Sequence, residues 1–196
     1  MTQIPQLKAG GHAPQEKEYC FMEAVALLAG EPHSHYPQCA CWILSNIGVS
    51  MNDYMGLGPT GDALRQEFLA PLVPLLIGTR GSIEIERARG ILFLQKSETY
   101  LGTLLELEDL TPHETTMVGR AVNNIPVALT DLEKKLQDIQ DAGMHKPKAP
   151  IIHTRKNLGH ASLLVMDAFS ALAENSIGKD AWAAVVGIYK EALALE

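Results

Sequence analysis

A chain of 196 residues, 46% hydrophobic and 20% charged, has a globular balance and enough length to bury a core without staples. A formal net charge of −7 argues against a dedicated nucleic-acid binder, because phosphate contacts need clustered Lys and Arg. Three cysteines give no disulfide framework, the segment MTQIPQLKAGGHAPQEKEY lacks a signal peptide's apolar run, and nothing approaches the ~20 apolar residues of a membrane span.

Residues 1–15, with Pro5, Gly10, Gly11 and Pro14, read as an extended arm. Cys20, Ala24, Leu27 and Leu28 recur at helical spacing, and Gly30 and Pro32 close that helix. A second helix is predicted from Pro37 or Gln38 to about Met51, with Cys39, Ile43 and Ile47 as its apolar stripe beside Trp42. Gly56, Gly58, Pro59 and Gly61 make a loop. The run ALRQEFLAPLVPLLI follows as a helix that Pro71 and Pro74 kink or end. Ser82 caps a long helix reaching about Glu106, with Glu84 and Glu86 near its positive end.

Thr111-Pro112-His113-Glu114 and Thr130-Asp131-Leu132-Glu133 each read as a capping box that starts a helix. Gly143 and HKPKAP mark a linker, and two helices follow, Leu158–Glu174 and Lys179–Leu195. Trp182, Val185, Val186 and Tyr189 form an amphipathic stripe suited to the core or to a homodimer contact through the C-terminal helices. No segment alternates as a strand should. The expected fold is all-α, a single-core bundle of about seven or eight helices. Its parts are an arm (1–15), a helical core domain (16–142), a linker (143–157) and a C-terminal helical pair packed on the core (158–196).

The stretch Cys20 to Asp53 holds all three cysteines and two of the seven histidines. Cys20, His33, His35, Cys39 and Cys41 are enough for a tetrahedral metal site. The C-x-C and H-x-H spacings match no established zinc pattern, and Cys39 and Cys41 on one helix point to different faces. Buried free cysteines pack as small hydrophobes, so neither metal nor cofactor is expected. A thiol nucleophile activated by His12, His33 or His35 needs an accessible, electropositive setting that a Cys on an apolar helix face lacks.

Glu23 sits among apolar positions and needs a partner, for which Arg80, Arg87 and Arg89 qualify. The string Gly56 to Gly61 fits G-x-G-x-x-G literally, but no strand precedes it, so it reads as a loop. Thr79-Arg80-Gly81-Ser82 opens a helix and suits an anion. His153, Arg155, Lys156 and His160 form a local basic patch that reads as a solvated face.

The pieces GGHAP, CFMEAVALLAGEPHS, PQCACWIL, LAPLVPLLIGTRGS and ERAR resemble a family of uncharacterised helical proteins of actinobacteria and their phages. The shared pattern comprises Cys20, Met22 to Ala24, Gly30 to Pro32, Cys39, Asn52-Asp53, Gly78-Thr79 and Glu86-Arg87, within residues 10–120. The resemblance implies an all-α class and a phage or mobile-element origin, and it supplies no mechanism. His35 and Cys41 depart from its pattern.

These readings point to a cytoplasmic, non-enzymatic binding protein. Its charged site would comprise Glu23, His33, Asp53, Arg80, Glu86 and Arg87 and take a small anionic ligand or a host protein partner, with no nucleic acid and no membrane. The alternatives are a hydrolase-type enzyme with Glu23 or Asp53 as general base, and a structural homo-oligomer subunit.

Overall fold

The computed structural model describes residues 3–106, 109–141 and 149–195. Its elements are α1 (Phe21–Ala29), α2 (Trp42–Tyr54), α3 (Gly58–Phe68), a 3-10 helix (Ala70–Leu76), α4 (Ile83–Leu105), α5 (Pro112–Asp141), α6 (Ala149–Glu174) and α7 (Lys179–Leu193). Among the described residues there is no strand, only an isolated bridge between Leu7 and Tyr19. The expected all-α bundle is what forms. No helix among the described residues is long and apolar enough to cross a membrane.

The long helices α4 and α6 hold the centre, each packing against α2, α5 and α7 and against the other. Phe93, Leu94 and Leu101 of α4 and Leu158, Val165 and Phe169 of α6 are buried, along with Ile43, Leu44 and Ile47 of α2. The stripe Trp182, Val185, Val186 and Tyr189 lies inside this core, so the chain itself uses the surface read as a dimer contact. The Tyr189 hydroxyl donates to the Leu44 carbonyl at 2.9 Å, which satisfies the phenol that the stripe carries inward.

Several boundaries differ from the sequence reading. α2 begins at Trp42, because the turn before it is held off the helix by side chains. Both Glu31 carboxylate oxygens accept backbone N–H groups, from Gln38 at 2.5 Å and Cys39 at 2.7 Å, and Thr79 Oγ1 accepts that of Cys41 at 3.0 Å. α3 begins inside the string read as a loop, with Pro59 in its first turn, where a missing N–H costs nothing. Pro71 and Pro74 both fall in the 3-10 helix, whose tighter turn ends α3 instead of kinking it.

Thr130 starts no helix, since α5 runs unbroken through Pro126 and Thr130 to Asp141. Its buried Val118, Ala121, Ile125 and Leu132 keep one stripe toward the core, and continuous packing overrides a local cap. Of the segment read as a linker, residues 149–157 belong to α6; its part up to residue 148 lies outside the described residues. Thr154 is already buried there, one turn before Leu158.

Candidate functional site

The arm turns into α1 at Cys20, the N-cap, and Glu23 at the third helical position reaches back to it. This is a capping box with Cys in place of Ser or Thr. Glu23 Oε2 accepts the Cys20 N–H at 2.7 Å, and Oε1 accepts the His12 N–H of the arm at 2.9 Å. The same Oε1 faces two imidazoles, His33 Nε2 and His35 Nε2, each at 3.1 Å. The carboxylate is fully buried. Burial alone would raise its pKa, but the N–H donors of His12 and Cys20 and the rings of His35 and His33 outweigh that and hold it below the usual carboxylate range.

The tautomer of His33 follows from its partner. Its Nε2 lies 2.7 Å from the His12 carbonyl oxygen, which can only accept, so Nε2 carries the proton. His35 presents its second nitrogen, Nδ1, to Cys20 Sγ at 3.7 Å. Cys20, His35 and Glu23 therefore form a connected row of thiol, imidazole and carboxylate. The His12 Nε2 beside this row is buried with no hydrogen-bond partner among the described residues. A cavity of about 110 Å³ adjoins the site, lined by Pro14, Tyr19, Glu23, Leu27, Glu31 and His33.

The row resembles a thiol-nucleophile arrangement in connectivity, but its electrostatics run the other way. Burial first, and the Glu23 charge after it, push the Cys20 thiol up to about 12 against the pull of the Glu23 and Met22 N–H groups. A buried thiol with so little thiolate is inert toward substrates. The arginines read as partners of Glu23 serve elsewhere. Arg89 donates to Leu195 O at 3.0 Å and Thr79 O at 2.5 Å, and Arg80 lies beside Glu86.

That second cluster stands at the start of α4. Buried Glu86 is gripped by Arg155 of α6, with Nη2 3.0 Å from Oε2, and accepts the Trp42 N–H at 3.2 Å. Arg80 Nε lies 3.8 Å from Glu86 Oε1. The Arg155 guanidinium lies over the Trp42 ring, 4.9 Å from its centroid, and Tyr36 stacks on Trp42 at 5.8 Å. Arg80, Gly81, Ile83, Glu86, Ile151 and Arg155 line a cavity of about 130 Å³.

The six residues read as one site thus divide. Glu23 and His33 share the first cluster, and Arg80 and Glu86 share the second; the two cavities have no lining residue in common. Asp53 binds the arm, accepting the Gly10 N–H at 3.1 Å and the Asn52 side-chain amide at 3.2 Å. Arg87 is half-buried on α4 and interacts electrostatically with Glu84.

Cys41 caps α2, buried in the core, and burial first, with Glu31 next, raises the Cys39 thiol. Neither joins the group of metal-capable side chains found among the described residues, which is Cys20, Glu23 and His35.

Sequence reasoning missed the joining of Cys20 and His35 to Glu23 and the role of Arg155. The Cys20-x-x-Glu23 spacing has the form of a capping box and could have revealed the link between those two, though not the arrival of His35. No local signal marks the second.

The chain is therefore an all-α bundle carrying two separate charged clusters. No protein-family model matches it, and neither a curated protein nor a solved structure does so.

Proposed function

We propose that this is a non-enzymatic binding protein that takes a small anion, or an acidic side chain of a protein partner, at the Arg80–Arg155 surface. The observation that carries this reading is a charge imbalance, in which two guanidiniums share the single carboxylate of Glu86. The N-terminal turn of α4 adds a positive dipole end to the same cavity.

Trp42 and Tyr36 extend the surface, and Trp, Tyr and Arg are the side chains that dominate contact energies at interfaces. The cavity of about 130 Å³ has room for a carboxylate or a phosphate group. On a mobile-element origin, the partner is a host protein offering an exposed Asp or Glu.

The hydrolase alternative draws less support. Glu23 is held below the usual carboxylate range and so makes a weak base near neutral pH. Asp53 is engaged by Gly10 and Asn52.

The test is an NMR titration of isotope-labelled protein, first with inorganic phosphate and then with an acidic peptide. The Trp42 indole and Gly81 amide resonances shift saturably, with a Kd of about 1 mM or tighter. Arg80→Ala abolishes the shift; that side chain is 42% exposed, so its loss leaves the core intact. Absence of a saturable shift with both probes removes the reading.

A further inference from the structure

The first cluster holds a thiol beside a carboxylate, two groups that repel one another when both are ionised, with an imidazole in contact with each. Cys20 Sγ, a Glu23 carboxylate oxygen and a His35 ring nitrogen all lie within 4.8 Å of one another. Glu23 Oε1 lies 3.1 Å from His35 Nε2, while the opposite ring nitrogen, Nδ1, lies 3.7 Å from Cys20 Sγ; one ion takes one of these nitrogens, and the half-exposed ring shifts to bring it to both partners. A tetrahedral ion with bonds of about 2.0–2.3 Å separates its ligand atoms by about 3.3–3.6 Å. The donors therefore stand within small side-chain adjustments of a common centre.

We propose that Cys20, Glu23 and His35 bind one divalent transition-metal ion of the zinc class, leaving a fourth position for water. The donor set selects the metal. Thiolate and imidazole prefer zinc-like ions, whereas magnesium and calcium take oxygen ligands. Three protein ligands with one open position is the pattern of an accessible zinc site, unlike the closed four-ligand structural kind.

The surroundings suit it. Cys20 occupies a helix N-cap, where burial raises the thiol and the Glu23 and Met22 N–H groups offset only part of that, so the bound cation itself must supply the remaining stabilisation of the thiolate. Glu23 is already ionised. His33 cannot ligate through Nε2, whose proton goes to the His12 carbonyl, and it lies 3.1 Å from the carboxylate. That is the outer-sphere position that orients a ligating group. Binding replaces the Cys20 thiol proton by the ion: the S–H bond breaks, a sulfur–metal bond forms, and one proton leaves to solvent.

The zinc pattern weighed from the sequence combined Cys20, His33, His35, Cys39 and Cys41 and left out the carboxylate. The folded chain brings together a different set, with Glu23 in place of His33, Cys39 and Cys41.

The experiment is a titration of metal-free, reduced full-length protein with Co(II), followed by absorbance. One equivalent gives a thiolate-to-cobalt charge-transfer band, and Zn(II) bleaches it. Cys20→Ser abolishes the band and Cys39→Ser leaves it unchanged. His35→Ala weakens cobalt binding by more than about tenfold. The His35 side chain is 39% exposed, so this variant keeps its fold, which far-UV circular dichroism verifies. Zn(II) raises the Tm of the unsubstituted protein and leaves that of His35→Ala in place. The proposal is overturned by the absence of a charge-transfer band, by a band that survives Cys20→Ser, by one lost in Cys39→Ser, or by undiminished affinity in His35→Ala.

Discussion

Glu86 and Arg155 stand 69 positions apart in sequence and meet in a forked ion pair, Nη2 reaching Oε1 at 3.2 Å and Oε2 at 3.0 Å while Nε reaches Oε2 at 3.2 Å. The pair ties the start of α6 to the start of α4. Arg155→Ala leaves Glu86 buried with the Trp42 N–H and Arg80 as its remaining partners. Breaking a fully buried pair costs about 3–5 kcal/mol. The Arg155 side chain is 24% exposed, which lowers the expected loss to about 2–3 kcal/mol. Arg155→Lys recovers less than half of it, because an ammonium cannot make the fork. Urea unfolding of the three proteins measures this.

Gly90 sets two effects against each other. Replacing a mid-helix glycine by alanine gains about 1 kcal/mol of helix propensity. A Cβ at Gly90 of α4 meets Leu158 Cδ1 of α6 at 2.7 Å and Ile43 Cγ2 of α2 at 3.0 Å. Overpacking costs about 1–3 kcal/mol, so Gly90→Ala is expected to be destabilising. Gly119 has no atom within 4 Å of its added Cβ, and Gly119→Ala is expected to stabilise by up to about 1 kcal/mol. Thermal unfolding of both variants gives opposite signs of change in Tm.

Local rules account for what was legible in the sequence. Ser82 caps α4, Gly30 ends α1 in the left-handed conformation with φ 71, and the Thr111 box forms as spaced, with the Thr111 N–H 2.8 Å from Glu114 Oε2. Each of those depends on neighbours three or four positions away. Thr130 obeyed the same rule and failed, because the packing of α5 outweighs one cap. The apolar spacing around Glu23 reads as a half-buried carboxylate paired with an arginine; it is fully buried, and its partners are histidines and backbone N–H groups. An arginine pair is the common solution, and nothing local says that His33 and His35 fold back onto α1. Arg155 read as part of a solvated patch because its carboxylate lies in another helix.

Glu114 makes stability depend on pH. Burial alone would raise its pKa, but the hydroxyls of Thr111 and Ser176 and their N–H groups hold it at about 2 against an ordinary 4.5. A depressed folded-state pKa means that the unfolded chain binds the proton more readily. The stabilisation is fully present above about pH 5 and fades as the pH falls from about 4.5 toward 2. Glu23 is shifted in the same direction, so it adds to the same slope. Urea midpoints measured down this range should fall steeply for the unsubstituted protein and less steeply for Glu114→Gln. Equal slopes would remove Glu114 from the account.

Arg65 is the largest fully buried side chain. Its Nε donates to Asn52 O at 2.8 Å, Nη1 to Asp62 Oδ1 at 3.1 Å, and Nη2 to the Gly56 carbonyl. Arg65→Met leaves two carbonyls and a carboxylate without these donors, at an expected cost of about 3–5 kcal/mol. Adding Asp62→Leu should recover part of that, since removing both partners is milder than removing one. Denaturant unfolding of the single and double variants reads the coupling.

The arm is fastened by bonds that span 43 to 59 positions, from Gly10 to Asp53, Asn52 to Lys8, Lys8 to Asp62 and Leu7 to Gln66. Helical turns close over four residues, whereas these bonds must first overcome the entropy of long loops. The arm precedes α2 and α3 in the chain, so these bonds form only once both helices exist. The His12 donor of Glu23 belongs to the same arm, so the carboxylate gains that donor only when the arm docks.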